Sequence, residues 1–182
     1  LEGLPSDYLR GGLQALGWLV DDRGLGDTSE NDGLAWSLPM HELFERWVEC
    51  LARVWAHRFG GQVRSAFAGD TTIPLRWSQS GQSGMKSLEP DIVVQQGDRV
   101  IIIDAKYKNH FEELDDHRWA ELGEEIREQH RHDVHQILAY ASLFEASSIT
   151  ALLIYPMQVN TWERLSKRGH NWIQAGLNHH GR

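Results

Sequence analysis

Residues 88–106 read LEPDIVVQQGDRVIIIDAK and contain two short strand-like runs separated by a tight turn. Gly97 and Asp98 suit the two-residue loop that β-hairpins favour, because both residue types tolerate the positive φ angles of such turns. With that loop, residues face each other across the ladder wherever their numbers sum to 195, so Asp91 lies directly opposite Asp104. The sequence therefore predicts a pair of carboxylates at one end of a hairpin.

The predicted carboxylate pair has a cationic neighbour. Successive side chains of a strand point to opposite faces, so Asp104 and Lys106 share a face, and the same register places Glu89 opposite Lys106. Two bare carboxylates about 4 Å apart would repel each other by about 4 kcal/mol at an effective dielectric constant of about 20. Either one carboxyl group takes up a proton, or a divalent cation binds between them. Oxygen ligands beside an ammonium group suit Mg²⁺ or Mn²⁺ better than zinc.

A simpler interpretation is that Asp91 and Asp104 are solvated residues at the ends of strands. The runs on either side of the turn favour a different view, because residues 92–94 and 100–103 are apolar at every position. Strands that are apolar on both faces are typically central and covered. Carboxylates at the ends of such strands indicate a functional site more often than a surface, so we favour a metal site.

The clearest helix is predicted at residues 39–59, where apolar residues recur at helical spacing until Gly60 ends the pattern. The members of this apolar stripe are Met40, Leu43, Phe44, Trp47, Val48, Leu51, Val54 and Trp55. Glu42 and Glu49 lie opposite the stripe, and we expect them to be solvated. Glu45 lies on its flank, so it is either a boundary residue or a further acid of the metal site.

The remaining elements complete an α/β pattern. They are strands at residues 63–68 and 72–77, a helix at residues 124–146 and a strand at residues 149–155. This order predicts an α/β domain with a mixed sheet, built around the central antiparallel hairpin and flanked by helices. We expect the core at residues 38–157, after a lead-in at residues 1–37 and before a basic, aromatic extension at residues 158–182.

Two polar residues of the second predicted helix lie on one face. Gln136 and Tyr140 are four residues apart, next to the apolar side of the helix. An amide and a phenol hydroxyl can bind a phosphate or an ordered water, and they can equally cap the edge of a core. Both interpretations remain open on these residues alone.

Composition limits the class of protein. The 182 residues suffice for one well-buried domain, and because the chain begins at Leu1 without an initiator methionine we expect a fragment of a longer protein. Cys50 is the single cysteine, so a disulfide framework is excluded. The single cysteine makes a reducing cytoplasm the expected location, and no apolar run is long enough to span a bilayer.

The net charge of −8 argues at first against a nucleic-acid partner. The acidic excess is local, however. Residues 111–128 hold eight acids and two arginines, whereas residues 157–182 carry four basic residues and one acid. The overall charge therefore does not exclude DNA as a partner.

Several of these segments together resemble the PD-(D/E)xK nuclease superfamily and, more narrowly, the nuclease domain of the McrC family, the cleaving subunits of methylcytosine-dependent restriction. The resemblance covers about residues 38–157. The motifs that carry it are Leu43-Phe44-Glu45-Arg46-Trp47, Glu89-Pro90-Asp91-Ile92-Val93, Ile103-Asp104-Ala105-Lys106-Tyr107-Lys108, His135-Gln136-Ile137-Leu138-Ala139-Tyr140-Ala141 and Leu153-Ile154-Tyr155-Pro156.

The resemblance implies an αβββαβ core and Mg²⁺-dependent hydrolysis of DNA phosphodiester bonds, with Mn²⁺ as a possible substitute. It implies that Asp91 and Asp104 bind the metal and that Glu45 completes the acidic cluster. Lys106 would orient the attacking water or stabilise the charged phosphate. One metal and two metals are both compatible with these residues.

The resemblance also implies partners. Gln136 and Tyr140 match a Gln-x-x-x-Tyr element of RecB-like nucleases, which implies a contact with the DNA backbone near the metal. In McrC systems a GTP-driven AAA+ motor loads the nuclease, and this chain has no nucleotide-binding loop, so a motor or specificity subunit would be a separate protein. Cleavage of both strands would need two such sites, as in a homodimer, or sequential nicking.

Two alternatives stand beside this expectation. The chain could be a catalytically silent member of the same fold that serves as a DNA-binding or assembly module. It could also be a protein-interaction domain that uses the acidic segment at residues 111–128 as its binding surface.

Overall fold

The computed structural model describes residues 39–78, 84–109 and 124–176. Its helices and strands are α1 (Met40–Phe59), β1 (Gln62–Ser65), β2 (Ile73–Pro74), β3 (Ser87–Leu88), β4 (Ile92–Gln96), β5 (Arg99–Ala105), α2 (Glu124–Ala141), β6 (Ser148–Ile154) and α3 (Val159–Arg168). The predicted lead-in at residues 1–37 lies outside the described residues, as does most of the acidic segment. No helix in the described ranges is long and apolar enough to cross a membrane.

The main sheet has four strands in the order β1-β4-β5-β6. β4 pairs antiparallel with both β1 and β5, whereas β6 runs parallel to β5. β2 and β3 form a separate two-stranded antiparallel ladder. The predicted α/β fold with a mixed sheet and a central antiparallel hairpin is confirmed. The extension predicted from residue 158 contains α3, which ends at Gly169 in the left-handed conformation.

The hairpin has the register that its turn predicts. Ile92 faces Ile103, and Gln96 faces Arg99 on either side of a two-residue loop in which Gly97 has φ of 57°. The expectation that Glu89 faces Lys106 is wrong. Pro90 has no N–H to donate, and the ladder between β4 and β5 begins only at Ile92.

Glu89 and Lys106 have other partners instead. Oγ1 of Thr72 donates a hydrogen bond to Oε1 of Glu89 over 2.7 Å. The backbone N–H of Lys106 donates to the carbonyl oxygen of Ile154 at the end of β6, over 2.8 Å. The backbone of Lys106 therefore bonds to the parallel strand β6 rather than to the antiparallel strand β4.

The helices α1 and α2 cover opposite faces of this sheet. On one face α1 packs through Phe44, Val48, Ala52 and Ala56 against Ile92, Val94, Ile103 and Ala105. On the other face α2 contributes Ile137 and Tyr140 to a core with Val93, Val100 and Ile102. By the alternation of the strands, Asp91 and Asp104 belong to the α2 face.

The buried stripe of α1 is narrower than the sequence suggests. Trp47 is 49% exposed and Trp55 is 38% exposed, although both have the spacing of core residues. Ala52 and Ala56 bring the backbone of α1 close to the sheet, which leaves the larger tryptophan rings at the margin of the contact. Helical spacing alone could not separate the centre of this contact from its edge.

Glu49 is also placed differently from its prediction. Its side chain is buried, and Oε1 accepts hydrogen bonds from Nε of Arg53 over 2.9 Å and from Oγ of Ser65 over 2.9 Å. Ser65 is the last residue of β1 and is fully buried. The prediction that Glu49 is solvated is wrong, because β1 meets α1 at this side of the helix.

We expect Glu49→Ala to lower the free energy of unfolding by about 1–3 kcal/mol, because it leaves Ser65 and Arg53 without their shared acceptor. Urea denaturation measures the change. Glu42→Ala removes an exposed acid from the same helix and should change the free energy of unfolding by less than about 0.5 kcal/mol. Equal effects of the two substitutions would contradict a structural role for the buried network.

Candidate active site

Asp91 and Asp104 lie side by side at the end of the central hairpin, as the register predicts. Asp91 precedes the first residue of β4, and Asp104 is the penultimate residue of β5. Oδ2 of Asp91 accepts a hydrogen bond from the backbone N–H of Ala105 over 2.8 Å. This bond holds the carboxylate of Asp91 across the hairpin, next to that of Asp104.

The carboxylate of Asp104 is fully buried. Nζ of Lys106 lies 2.6 Å from Oδ2 in an ion pair, yet neither carboxylate oxygen accepts a hydrogen bond of normal geometry from any described residue. Buried carboxylates normally have several donors, since removing one from water without compensation is costly. The carboxylate oxygens of Asp104 can therefore accept a further positively charged ligand.

The two carboxylates disturb each other electrostatically. Burial and the negative charge of Asp104 together raise the pKa of Asp91 to about 7, against the opposing effect of the hydrogen bond from the Ala105 N–H. Asp91 thus exchanges its proton near neutral pH. A group of this kind beside a second carboxylate is typical of functional sites.

Lys106 connects the acidic pair to α2. Its side chain is 15% exposed, and Nζ donates to Oε1 of Gln136 over 3.0 Å in addition to its ion pair with Asp104. Burial alone would lower the pKa of Lys106, but the contact with Asp104 and the nearby charge of Asp91 outweigh it, so the pKa is raised. The ammonium group is therefore charged at neutral pH.

Gln136 and Tyr140 lie on one face of α2, as predicted. Nε2 of Gln136 donates to the hydroxyl oxygen of Tyr140 over 2.8 Å, while its carbonyl oxygen accepts from Lys106. Tyr140 is buried in the core, and burial raises the pKa of its hydroxyl. The two residues thus form a relay that orients Lys106, a contact that the sequence did not indicate; their contact with DNA stays a prediction.

Glu45 lies within electrostatic reach of this group. Burial is the main cause that raises its pKa, while the charge of Lys106 lowers it and that of Asp104 raises it. Glu45 belongs to α1, however, which packs on the face of the sheet opposite to Asp91 and Asp104. Within the described ranges, no three His, Cys, Asp or Glu side chains converge closely enough to hold a metal ion. The role of Glu45 as a third acidic ligand stays a prediction.

The two carboxylates that do lie together, those of Asp91 and Asp104, match the number of protein ligands that Mg²⁺ usually takes. This ion keeps several waters and is usually held by one or two carboxylates together with phosphates of the substrate, rather than by a complete protein cage. Asp91 and Asp104 supply two adjacent carboxylates, and the two oxygens of Asp104 accept no hydrogen bond of normal geometry from the described residues. The described side chains therefore suit a site that a phosphate completes.

Sequence reasoning missed a second polar cluster beside this site. Asp133 of α2 is 2% exposed and contacts Lys108 and Tyr155. The spacing of residues 133, 136 and 140 could have indicated it, because positions i, i+3 and i+7 share one face of a helix. That spacing does not show which residue of another segment Asp133 faces.

A comparison with models of protein families matches residues 25–156 to the McrBC 5-methylcytosine restriction system component. The match covers well over half of the chain and includes every residue of the acidic pair, the lysine and the Gln-Tyr relay. No curated protein matches the chain.

Proposed function

This chain belongs to the family of the McrBC 5-methylcytosine restriction system component, and from that premise we propose that it is the part of such a system that cleaves DNA. The proposed activity is that of a Mg²⁺-dependent endonuclease of the PD-(D/E)xK type, with Mn²⁺ as a substitute. One observation carries the proposal: Asp104 is a fully buried carboxylate beside Asp91, and its close cationic contact among the described residues is the ion pair with Lys106, which leaves acceptor capacity on its oxygens. Stability alone would not select that arrangement.

In this proposal some side chains supply charge and others orient the charged groups. Asp91 and Asp104 would hold the cation, with Glu45 as a further acid, and the ion would offset their repulsion and polarise the scissile phosphate. Lys106 places a positive charge where negative charge develops on the phosphate oxygens. Gln136 fixes Nζ of Lys106 by its 3.0 Å hydrogen bond, so the ammonium group needs little reorganisation during the reaction.

The proposal includes partners. DNA is the substrate, and a separate AAA+ GTPase would load or move this nuclease, as in the systems after which the family is named. A second copy of the chain would cut the opposite strand.

The experiment compares wild type with Asp104→Asn on supercoiled plasmid DNA, with and without 5-methylcytosine, in Mg²⁺, Mn²⁺ or EDTA. We expect nicked and linear DNA from wild type with either cation and none in EDTA, and a loss of at least about 10²-fold in rate for the variant. Circular dichroism of both proteins controls for folding. Equal cleavage by both proteins would contradict the proposal, and DNA binding without cation-dependent cleavage would favour the catalytically silent module.

A further inference from the structure

The segment that follows β5 carries two lysines, and α2 holds each of them with a different residue. Lys106 is bound by Gln136, as described above. Lys108 is bound by Asp133, which lies one helical turn before Gln136. The active-site lysine thus has a neighbour that is fixed from the same helix.

The contact between Lys108 and Asp133 is close and well supported. Nζ of Lys108 lies 2.8 Å from Oδ1 and 3.0 Å from Oδ2 of Asp133, and the hydroxyl of Tyr155 donates to Oδ2 over 3.1 Å. The carboxylate is therefore bound on two sides. Its charge also contributes to the raised pKa of Lys106, so this cluster lies next to the catalytic group.

The two charges of this pair differ in their access to solvent. The side chain of Asp133 is 3% exposed, whereas that of Lys108 is 40% exposed. An anion approaching from solvent therefore meets the ammonium group, with the carboxylate behind it. A lysine has three N–H donors, so Nζ can contact both oxygens of Asp133 and still donate to an approaching anion.

Local backbone structure keeps the two lysines together. The N–H of Lys108 donates to the carbonyl oxygen of Lys106 over 2.9 Å, which closes a tight turn directly after β5. A cleft of about 230 Å³ opens at this turn and is lined by Tyr107, Asn109, Pro156, Met157 and Gln158. Tyr107 and Asn109 flank Lys108 in the sequence, so the cleft opens beside the segment that carries Lys108.

We propose that Lys108 binds a phosphate of the DNA strand next to the phosphate that is cleaved, and that Asp133 is the positioning residue that holds Lys108 for this contact. The inference rests on the proposed nuclease function. The ligand is the phosphodiester backbone, which a fixed ammonium group recognises without regard to base sequence. Lys108 therefore contributes to substrate binding rather than to the chemical step.

The experiment measures kcat and KM for plasmid cleavage at several salt concentrations. For Lys108→Ala we expect KM to rise about tenfold, with a smaller change in kcat, because the lost contact is made equally before and during the reaction. The slope of log KM against log salt concentration should fall by about 1, as for the loss of one phosphate contact. Lys108→Arg should retain most of the salt dependence, and Lys167→Ala, an exposed lysine of α3, should match wild type.

A double variant tests the role of Asp133. Asp133→Asn should raise KM in the wild-type background and have little further effect in the Lys108→Ala background, since a positioning residue acts through the group it positions. Additive effects of the two substitutions would overturn that role. Unchanged KM and salt slope in Lys108→Ala, with an active wild type, would overturn the phosphate contact alone. An inactive wild type that fails to bind DNA would overturn the nuclease function as well.

Discussion

Lys106→Ala is expected to lower the rate of DNA cleavage by about 10²- to 10⁴-fold. The substitution removes the only ammonium group that contacts the acidic pair within the described residues. Initial rates on plasmid DNA in Mg²⁺ measure the loss. The effect should fall on kcat, because the charge acts where negative charge develops on the phosphate.

The controls for Lys106→Ala address folding and charge. Asp104 loses its cationic neighbour in this variant, so thermal unfolding is best compared in excess Mg²⁺. Lys106→Arg keeps the positive charge but presents a planar fork in place of a point charge, so we expect partial activity. Activity of Lys106→Ala equal to that of wild type would contradict the catalytic role of this lysine.

Asp91→Asn is expected to abolish cleavage and, in the absence of metal, to stabilise the folded protein by about 1–3 kcal/mol at neutral to alkaline pH. The pKa of Asp91 is raised from its ordinary value of 3.8 to about 7 by burial and by Asp104. Folding therefore destabilises the ionised form of this group. Asparagine has nearly the same shape and can keep the hydrogen bond from the N–H of Ala105.

The pH dependence of that effect has a definite sign. Between about pH 4 and about pH 7 the folded protein binds a proton at Asp91 that the unfolded chain has released, so the free energy of unfolding falls as the pH rises. The free-energy cost of ionising Asp91 in the folded protein is therefore absent below about pH 4 and complete above about pH 7. Urea denaturation in EDTA at about pH 5 and about pH 8 should show a clearly larger gain from Asp91→Asn at the higher pH, because only part of this cost has developed at about pH 5.

Asp98→Asn is the matched control, because Asp98 lies in the exposed turn of the same hairpin and asparagine suits that turn equally well. The Asp98→Asn substitution should change the free energy of unfolding by less than about 0.5 kcal/mol at either pH. If Asp91→Asn destabilised the metal-free protein at high pH, the repulsion between Asp91 and Asp104 would be disproved.

The hairpin and its acidic pair could be predicted because their determinants are local. Gly97 and Asp98 fix the loop length, the loop length fixes the register, and the register sets Asp91 beside Asp104. Helical spacing likewise placed Gln136 beside Tyr140. Each of these steps uses residues that are neighbours in the sequence or along one element.

The features that sequence reasoning missed depend on contacts between distant segments. Glu49 is buried because β1 brings Ser65 to α1, and Asp133 is buried because the chain after β5 brings Lys108 to α2. Glu89 leaves the ladder because Pro90 interrupts it. Patterns along one helix or strand contain no information about which residue a neighbouring element presents, so they predict a solvated Glu49 and give no role to Asp133.

The most direct test of the cation site is a calorimetric titration of Mn²⁺ into wild type and Asp91→Asn at about pH 8, where Asp91 is ionised. We predict a saturable heat of binding for wild type and its loss in the variant, which keeps the fold and the shape of the site. At about pH 6.5, binding to wild type should also release protons, seen as a dependence of the measured heat on the buffer. Equal binding of Mn²⁺ by the two proteins would contradict the assignment of Asp91 and Asp104 as the cation site.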